Sequence, residues 1–205
     1  MADLRVKGQY VGPGEKKTAE YLAQALPDEW VIFAGRKLPG PNREDADLVI
    51  VGERLIFVVE EKAWGPTIVV DDNHWYVDND PRPNPLNRVA QVARVVASTL
   101  KRNARGYENL GRAHRVVPAV VLSHSNLRVL GGVNHDEREH IWSLQDAPSS
   151  LVGLDREFHG PSLGQARRSV ITYLDDLPRL VGTPTLGTYR LESRLASAGQ
   201  EQTWS

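Results

Sequence analysis

Three charged residues, Asp47, Glu60 and Lys62, sit at the ends of two apolar runs, Asp45–Val51 and Leu55–Glu61. The runs are separated by Gly52-Glu53-Arg54, a spacing that predicts an antiparallel hairpin. With Glu53-Arg54 as a two-residue turn, Val51 pairs with Ile56, and counting outward sets Asp47 across from Glu60 on one face. Alternation puts Lys62 on that face as well and Glu61 on the opposite one, where its removal is expected to leave activity nearly intact. Two carboxylates a cross-strand distance apart repel each other unless a cation lies between them. Oxygen-only ligands suit magnesium or manganese better than zinc, so Asp47 and Glu60 are the candidate metal ligands and Mg2+ (or Mn2+) is the expected cofactor. A lysine beside that metal can orient or deprotonate a water and stabilise charge on a phosphate under attack, which is hydrolytic phosphodiester chemistry. The competing structural account is a solvated strand end with a surface ion pair. The upstream acid at the matching register is what favours a site.

The same residues carry a resemblance. D-x-D leading through an apolar hairpin into E-x-K, then Trp64-Gly65, resembles the nuclease-related domain, NERD, a branch of the PD-(D/E)xK nuclease superfamily, over roughly the first half of the chain. The spacing from Asp47 to Glu60, Gly14-Glu15 before the first helix, and Asn84-Pro85-Leu86 before the second fit that pattern. Two positions depart from it. The x of E-x-K, usually apolar, is Glu61, and the glutamine expected soon after Asn-Pro-Leu is Arg88, with Gln91 one helical turn later. The resemblance implies an α/β fold with a restriction-endonuclease-like αβββαβ core, a mixed central sheet flanked by helices. It also implies a metal-dependent nuclease acting on DNA, in which Lys62 activates the attacking water and Gln91 assists.

The elements that must position these groups can be read in order. Residues 1–13, short and rich in Gly and Pro, read as a loosely docked arm. A first helix is predicted from Gly14 to Leu26, and Glu15 falls on its buried stripe with Ala19, Leu22 and Leu26. Glu15 is therefore a candidate third acid, although an acid in a first turn also complements the helix dipole. Trp30–Ala34 reads as a strand and Gly35–Glu44 as a loop, whose Arg36, Lys37 and Arg43 are candidates for a phosphate backbone as well as for a plain solvated surface. Thr67–Val70 and Trp75–Val77 read as a second hairpin followed by a loop over residues 78–83. Asn84-Pro85 opens a helix whose apolar face runs from Leu86 to Leu100, with Arg88, Gln91 and Arg94 beside that stripe as the best local basic surface. Val116–Leu122 is β-rich, and Pro118 inside it predicts an edge position or a bulge. Ser123–His140 reads as a long loop with one short strand at Leu127–Leu130, Ile141–Leu144 as a strand, and Pro148–Leu154 as a short helix or turn. Ser162–Leu177 fits a terminal helix.

Domain organisation follows as an arm over 1–13, one nuclease-like domain over 14–177, and a linker over 178–187 leading into a tail. The tail, Tyr189 to Trp204, resembles the opening strand of a protein kinase N-lobe. This implies a NERD and kinase fusion, an arrangement associated with bacterial anti-phage defence. A net charge of -1 gives no whole-molecule signal for nucleic acid, so DNA as partner rests on a local patch. Cysteine is absent, which excludes disulfides, thiolate zinc sites and a cysteine nucleophile, and the six histidines show no metal-ligand spacing. No apolar run approaches the length of a membrane span, so a cytoplasmic location is the default, with a homodimer and a downstream kinase as further candidate partners. Two other functions fit the same sequence: a non-cutting nucleic-acid-binding module and a regulatory module attached to a kinase.

Overall fold

The computed structural model describes residues 1–8, 10, 12–38, 46–71, 74–111, 115–131, 138–179, 185–186, 189–190, 194–198 and 201–204. Its central element is β4 (Ile56–Lys62), in which every residue from Ile56 to Glu61 is buried. The first four residues of β4, Ile56–Val59, are apolar on both faces and must be covered on both sides, and the sheet is built accordingly. Around β4 lie β1 (Asp3–Val6), β2 (Val31–Ala34), β3 (Leu48–Val51), β8 (Val116–Leu122) and β10 (Ile141–Ser143), in the order β1-β2-β3-β4-β8-β10. β2, β3 and β4 are antiparallel neighbours, whereas β1 with β2, β4 with β8, and β8 with β10 run parallel, so the sheet is mixed.

Alternation assigns the two faces. Val49, Val51, Ile56, Val58, Val120 and Leu122 pack with α2 (Pro85–Asn103) and α4 (Ala166–Asp176). Leu48, Ile50, Phe57, Val59, Ala119 and Val121 pack with α1 (Pro13–Ala25) and α3 (Ala147–Glu157). Helix α2 forms where it does because Asn84 accepts a hydrogen bond from the Leu86 N–H at 2.9 Å and Pro85 fills the first helical position. Its buried Val89, Val92, Val96 and Leu100 each contribute about 1.5–3 kcal/mol of burial, which outweighs their modest helix propensity. The order α1-β2-β3-β4-α2-β8 is the expected αβββαβ core, an α/β fold consistent with the restriction-endonuclease-like class.

A second sheet, β7-β6-β5-β9, is inserted around that core from β5 (Thr67–Asp71), β6 (His74–Val77), β7 (Asp80–Arg82) and β9 (Arg128–Gly131). Ile68, Val70 and Trp75 bury its inner face against the α2 side of the main sheet.

Several expectations are revised. Residues 3–6 are not a loose arm but an edge strand, held because β2 offers a free parallel edge and the Ala2 N–H donates to Ala23 O of α1 at 2.8 Å. Residues 80–82 form a third strand on the second hairpin. β8 is an interior strand despite Pro118. The proline is tolerated because the β10 ladder begins only at Val120, so Pro118 has a strand neighbour on one side alone. α4 begins at Ala166, four residues later than its periodicity suggested. The tail contains two antiparallel pairs, Thr185–Leu186 with Tyr189–Arg190 and Arg194–Ala198 with Glu201–Trp204.

Candidate active site

The hairpin register is the one the sequence predicts. Val51 pairs with Ile56 and Leu48 with Val59, and the Gly52 N–H donates to Leu55 O at 2.9 Å across the Glu53-Arg54 turn. One step beyond Leu48–Val59 lie Asp47 and Glu60. β4 therefore carries Glu60 and Lys62 out of the core on the α2 face, at the end of the sheet where β3 has already stopped.

Glu60 is 1% exposed. Its Oε1 accepts from Lys62 Nζ at 2.7 Å and from Arg88 Nη1, on the first turns of α2, at 3.0 Å. Its Oε2 is buried with no hydrogen-bond partner. Lys62 Nζ also donates to Glu61 O at 3.1 Å and stands 6.0 Å from the Trp64 ring centroid, so the ammonium is fixed from three sides. Arg88 reaches Glu60 while its side chain remains 60% exposed, which places the guanidinium at the rim of the site.

Asp47 Oδ2 accepts from the Glu61 N–H at 2.6 Å. Burial pushes its carboxyl up to about 8, and the neighbouring Glu60 and Glu15 push it in the same direction, against the Glu61 N–H and the Lys62 charge. Glu61, 7% exposed on the other face, accepts from Ser123 Oγ just past the end of β8. Its carboxyl is also raised, first by desolvation, with the Ser123 bond and Lys62 opposing and Glu15 and Glu60 adding. Gly14 lies against that carboxylate so closely that a Cβ there would run into it. The start of α1 is thus seated on Glu61, and Glu15, buried beside it, joins the same field of negative charge.

The structure therefore brings together Glu15, Asp47, Glu60, Lys62 and Arg88, and adds Glu61 and Ser123. Glu61 keeps its expected face, yet it is buried, bonded to Ser123 and in reach of Glu15, which does not suit a neutral control position. The departure from an apolar residue within E-x-K was the available signal for it; Ser123 had none. Gln91 and Arg94 are exposed further along α2. Arg36 is corrected: it is 3% exposed, and its guanidinium donates to Leu174 O at 3.2 Å, Ala34 O at 3.2 Å and Asp175 Oδ1 at 2.9 Å. A buried arginine spent on α4 cannot meet a phosphate backbone, and no local pattern around Arg36 marks its contact with Leu174 and Asp175. Lys37 is half-buried, with its N–H donating to Pro178 O at 2.9 Å. Arg43 lies outside the described residues.

Among the described residues, no group of three or more acidic or histidine side chains is gathered as a ready metal cage. Magnesium does not require one, since it takes one or two carboxylates and fills its remaining positions with water and substrate oxygens. Asp47, raised by burial and then by neighbouring negative charge, and Glu60, with one oxygen bare, fit that donor set. No helix among the described residues is long and apolar enough to cross a membrane.

A family model described as nuclease-related domain, NERD, matches residues 12–123, more than half of the 205-residue chain. That span begins just before the glycine seated on Glu61 and closes on Ser123. No curated protein and no solved structure gives a significant match. With the αβββαβ core, the Asp47–Glu60 register and the Glu60-x-Lys62 strand inside the matched span, the chain belongs to the nuclease-related domain family.

Proposed function

We propose that the chain is a metal-dependent nuclease that hydrolyses phosphodiester bonds of DNA. The observation that supports this most is the Glu60 carboxylate. One oxygen is held by Lys62 and Arg88, while the other is buried and bare next to an Asp47 that burial and neighbouring acids keep from ionising. Leaving a buried carboxylate oxygen without a partner costs about 1–3 kcal/mol or more, a cost that a divalent cation between Asp47 and Glu60 removes. Bound there, Mg2+ or Mn2+ supplies polarisation of the phosphate and of the attacking water. The protein's own groups do the rest. Lys62 has three N–H donors, of which two are engaged by Glu60 and Glu61, leaving the third for the attacking water or a phosphate oxygen. Arg88, at the rim, can meet charge developing on the phosphate. The Glu61 N–H fixes the direction of the Asp47 carboxylate.

One observation favours a second reading, a non-cutting nucleic-acid-binding or regulatory module. Lys62 and Arg88 together supply two positive charges to Glu60, enough to balance it without a metal. Calorimetric titration with Mg2+ and Mn2+, run beside plasmid nicking, separates the two. On the nuclease reading the parent binds the ion and nicks DNA. Lys62→Ala still folds and binds the ion but loses about a hundredfold or more in rate. A parent that binds neither ion and cuts neither DNA nor RNA sinks the nuclease reading.

A further inference from the structure

Helix α2 carries Arg88, Arg94, Lys101 and Arg102 and no acidic residue, and Arg105 follows just past its end. All of these side chains are exposed. In a chain whose net charge is -1, they concentrate one sign of charge on one element. Helical spacing puts Arg94, Lys101 and Arg105 on one stripe, on the side of α2 away from the buried Val89, Val96 and Leu100. The stripe starts at the acids, because Arg88 donates to Glu60 at 3.0 Å while its side chain stays 60% exposed. At a rise of about 1.5 Å per residue it runs on for about 25 Å.

A helix face that is merely solvated interleaves both signs, with an acid three or four residues from each base. Around Arg94 those positions hold Ala90, Gln91, Ala97 and Ser98, and Lys101 has Arg105 four residues on. Among the described residues, no ion pair or side-chain hydrogen bond holds Arg94, Lys101 or Arg105. Lys101 and Arg102, in the last turn, complement the helix dipole, but Arg94 in mid-helix lies beyond the reach of that effect. Like charges in a row repel, and an anionic partner relieves them.

The form of the partner follows from what the stripe lacks. Single strands are held by stacking their bases on aromatic side chains, and α2 has no aromatic residue. Point charges on a straight, rigid element recognise charge density, which is highest on a duplex, at one phosphate per about 1.7 Å of axis. We propose that this face of α2 docks on the phosphate backbone of double-stranded DNA, which makes duplex DNA the substrate class of the site assigned above. The stripe's length corresponds to about seven base pairs to one side of the cut. This rests on the nuclease reading for the position of the cut, but not for the docking.

The test measures binding of the full chain in EDTA to a labelled duplex of about 20 base pairs, and to a single strand of the same length, over a range of salt concentrations. The parent is expected to bind the duplex more tightly than the single strand, with a slope of log affinity against log salt of about four or more in magnitude. Arg94→Gln, Lys101→Gln and Arg105→Gln should each lower that slope by about 0.9, and the three together by about 2.7. Glutamine is nearly as good a helix former as either base, so the variants keep the fold. Arg156→Gln, at an exposed position on α3 across the sheet, should leave the slope unchanged. A triple variant with the parent's slope, an equal loss in Arg156→Gln, or a single strand bound as tightly as the duplex overturns the inference. Docking that depends on the stripe with no cutting in Mg2+ or Mn2+ leaves the surface standing and overturns the nuclease reading alone.

Discussion

Replacing Asp47 by asparagine should make the metal-free protein more stable, and the gain should depend on pH in a defined direction. The Asp47 carboxyl is raised from 3.8 to about 8 in the folded protein. The folded state therefore binds a proton that the unfolded chain has released, and parent stability falls as pH rises from about 4 to about 8. At about 1.36 kcal/mol per unit, a rise of roughly four units sets a ceiling near 5–6 kcal/mol. Glu60 and Glu15 share the repulsion and relax with it, so about 2–3 kcal/mol is the expected gain above pH 8. Asparagine keeps an oxygen for the Glu61 N–H and carries no charge at any pH. Thermal unfolding in EDTA should then show Asp47→Asn melting roughly 5–10 °C above the parent near pH 9, with under a third of that gain near pH 5. Mg2+ should reverse the order, raising the parent's melting temperature and leaving the variant's nearly unchanged. Equal melting temperatures near pH 9, or a gain of the same size at both pH values, would refute the account of Asp47 as a carboxyl raised by burial and by neighbouring acids.

Gly14→Ala pits two effects against each other: alanine gains about 1 kcal/mol of helix propensity, but its methyl meets the Glu61 carboxylate, and overpacking costs about 1–3 kcal/mol. A net destabilisation is expected in urea unfolding, relieved in the Gly14→Ala, Glu61→Ala double variant; a stabilised single variant would contradict the contact. Ser123→Ala leaves the buried Glu61 carboxylate short of a donor and should cost about 1–3 kcal/mol. Because that bond favours the charged form, the loss should grow with pH through the Glu61 titration, and a loss that shrinks would show the bond serves the neutral form. Arg36→Ala should lower stability by about 1–3 kcal/mol by leaving the Leu174 and Ala34 carbonyls short of a donor, while Asp175 keeps Arg5, with no change in the salt dependence of DNA binding; a slope reduced by about one would return Arg36 to the interface.

What the sequence determined by itself was everything carried by period and punctuation. A stretch with a side-chain repeat of two and one short turn has a single register, so Asp47 meeting Glu60 was decided within the residues from 47 to 62. Asn84-Pro85 and the apolar stripe after it likewise specified α2 locally, since a cap, a fixed φ and a helical repeat act within a few residues. Packing between elements far apart in the chain carries no such local mark. Arg88 reaches Glu60 only because α2 crosses the end of β4, and Glu61 becomes a buried acid only because α1 brings Gly14 down on one side and β8 brings Ser123 alongside. The same holds for Arg36, a solvated-looking residue in a loop until α4 folds over it with Leu174 and Asp175. Charges at a strand end are indifferent to their surroundings in the sequence. It is desolvation by other elements, set by tertiary structure, that turns Asp47 into a carboxyl that holds its proton near neutrality and leaves one oxygen of Glu60 bare.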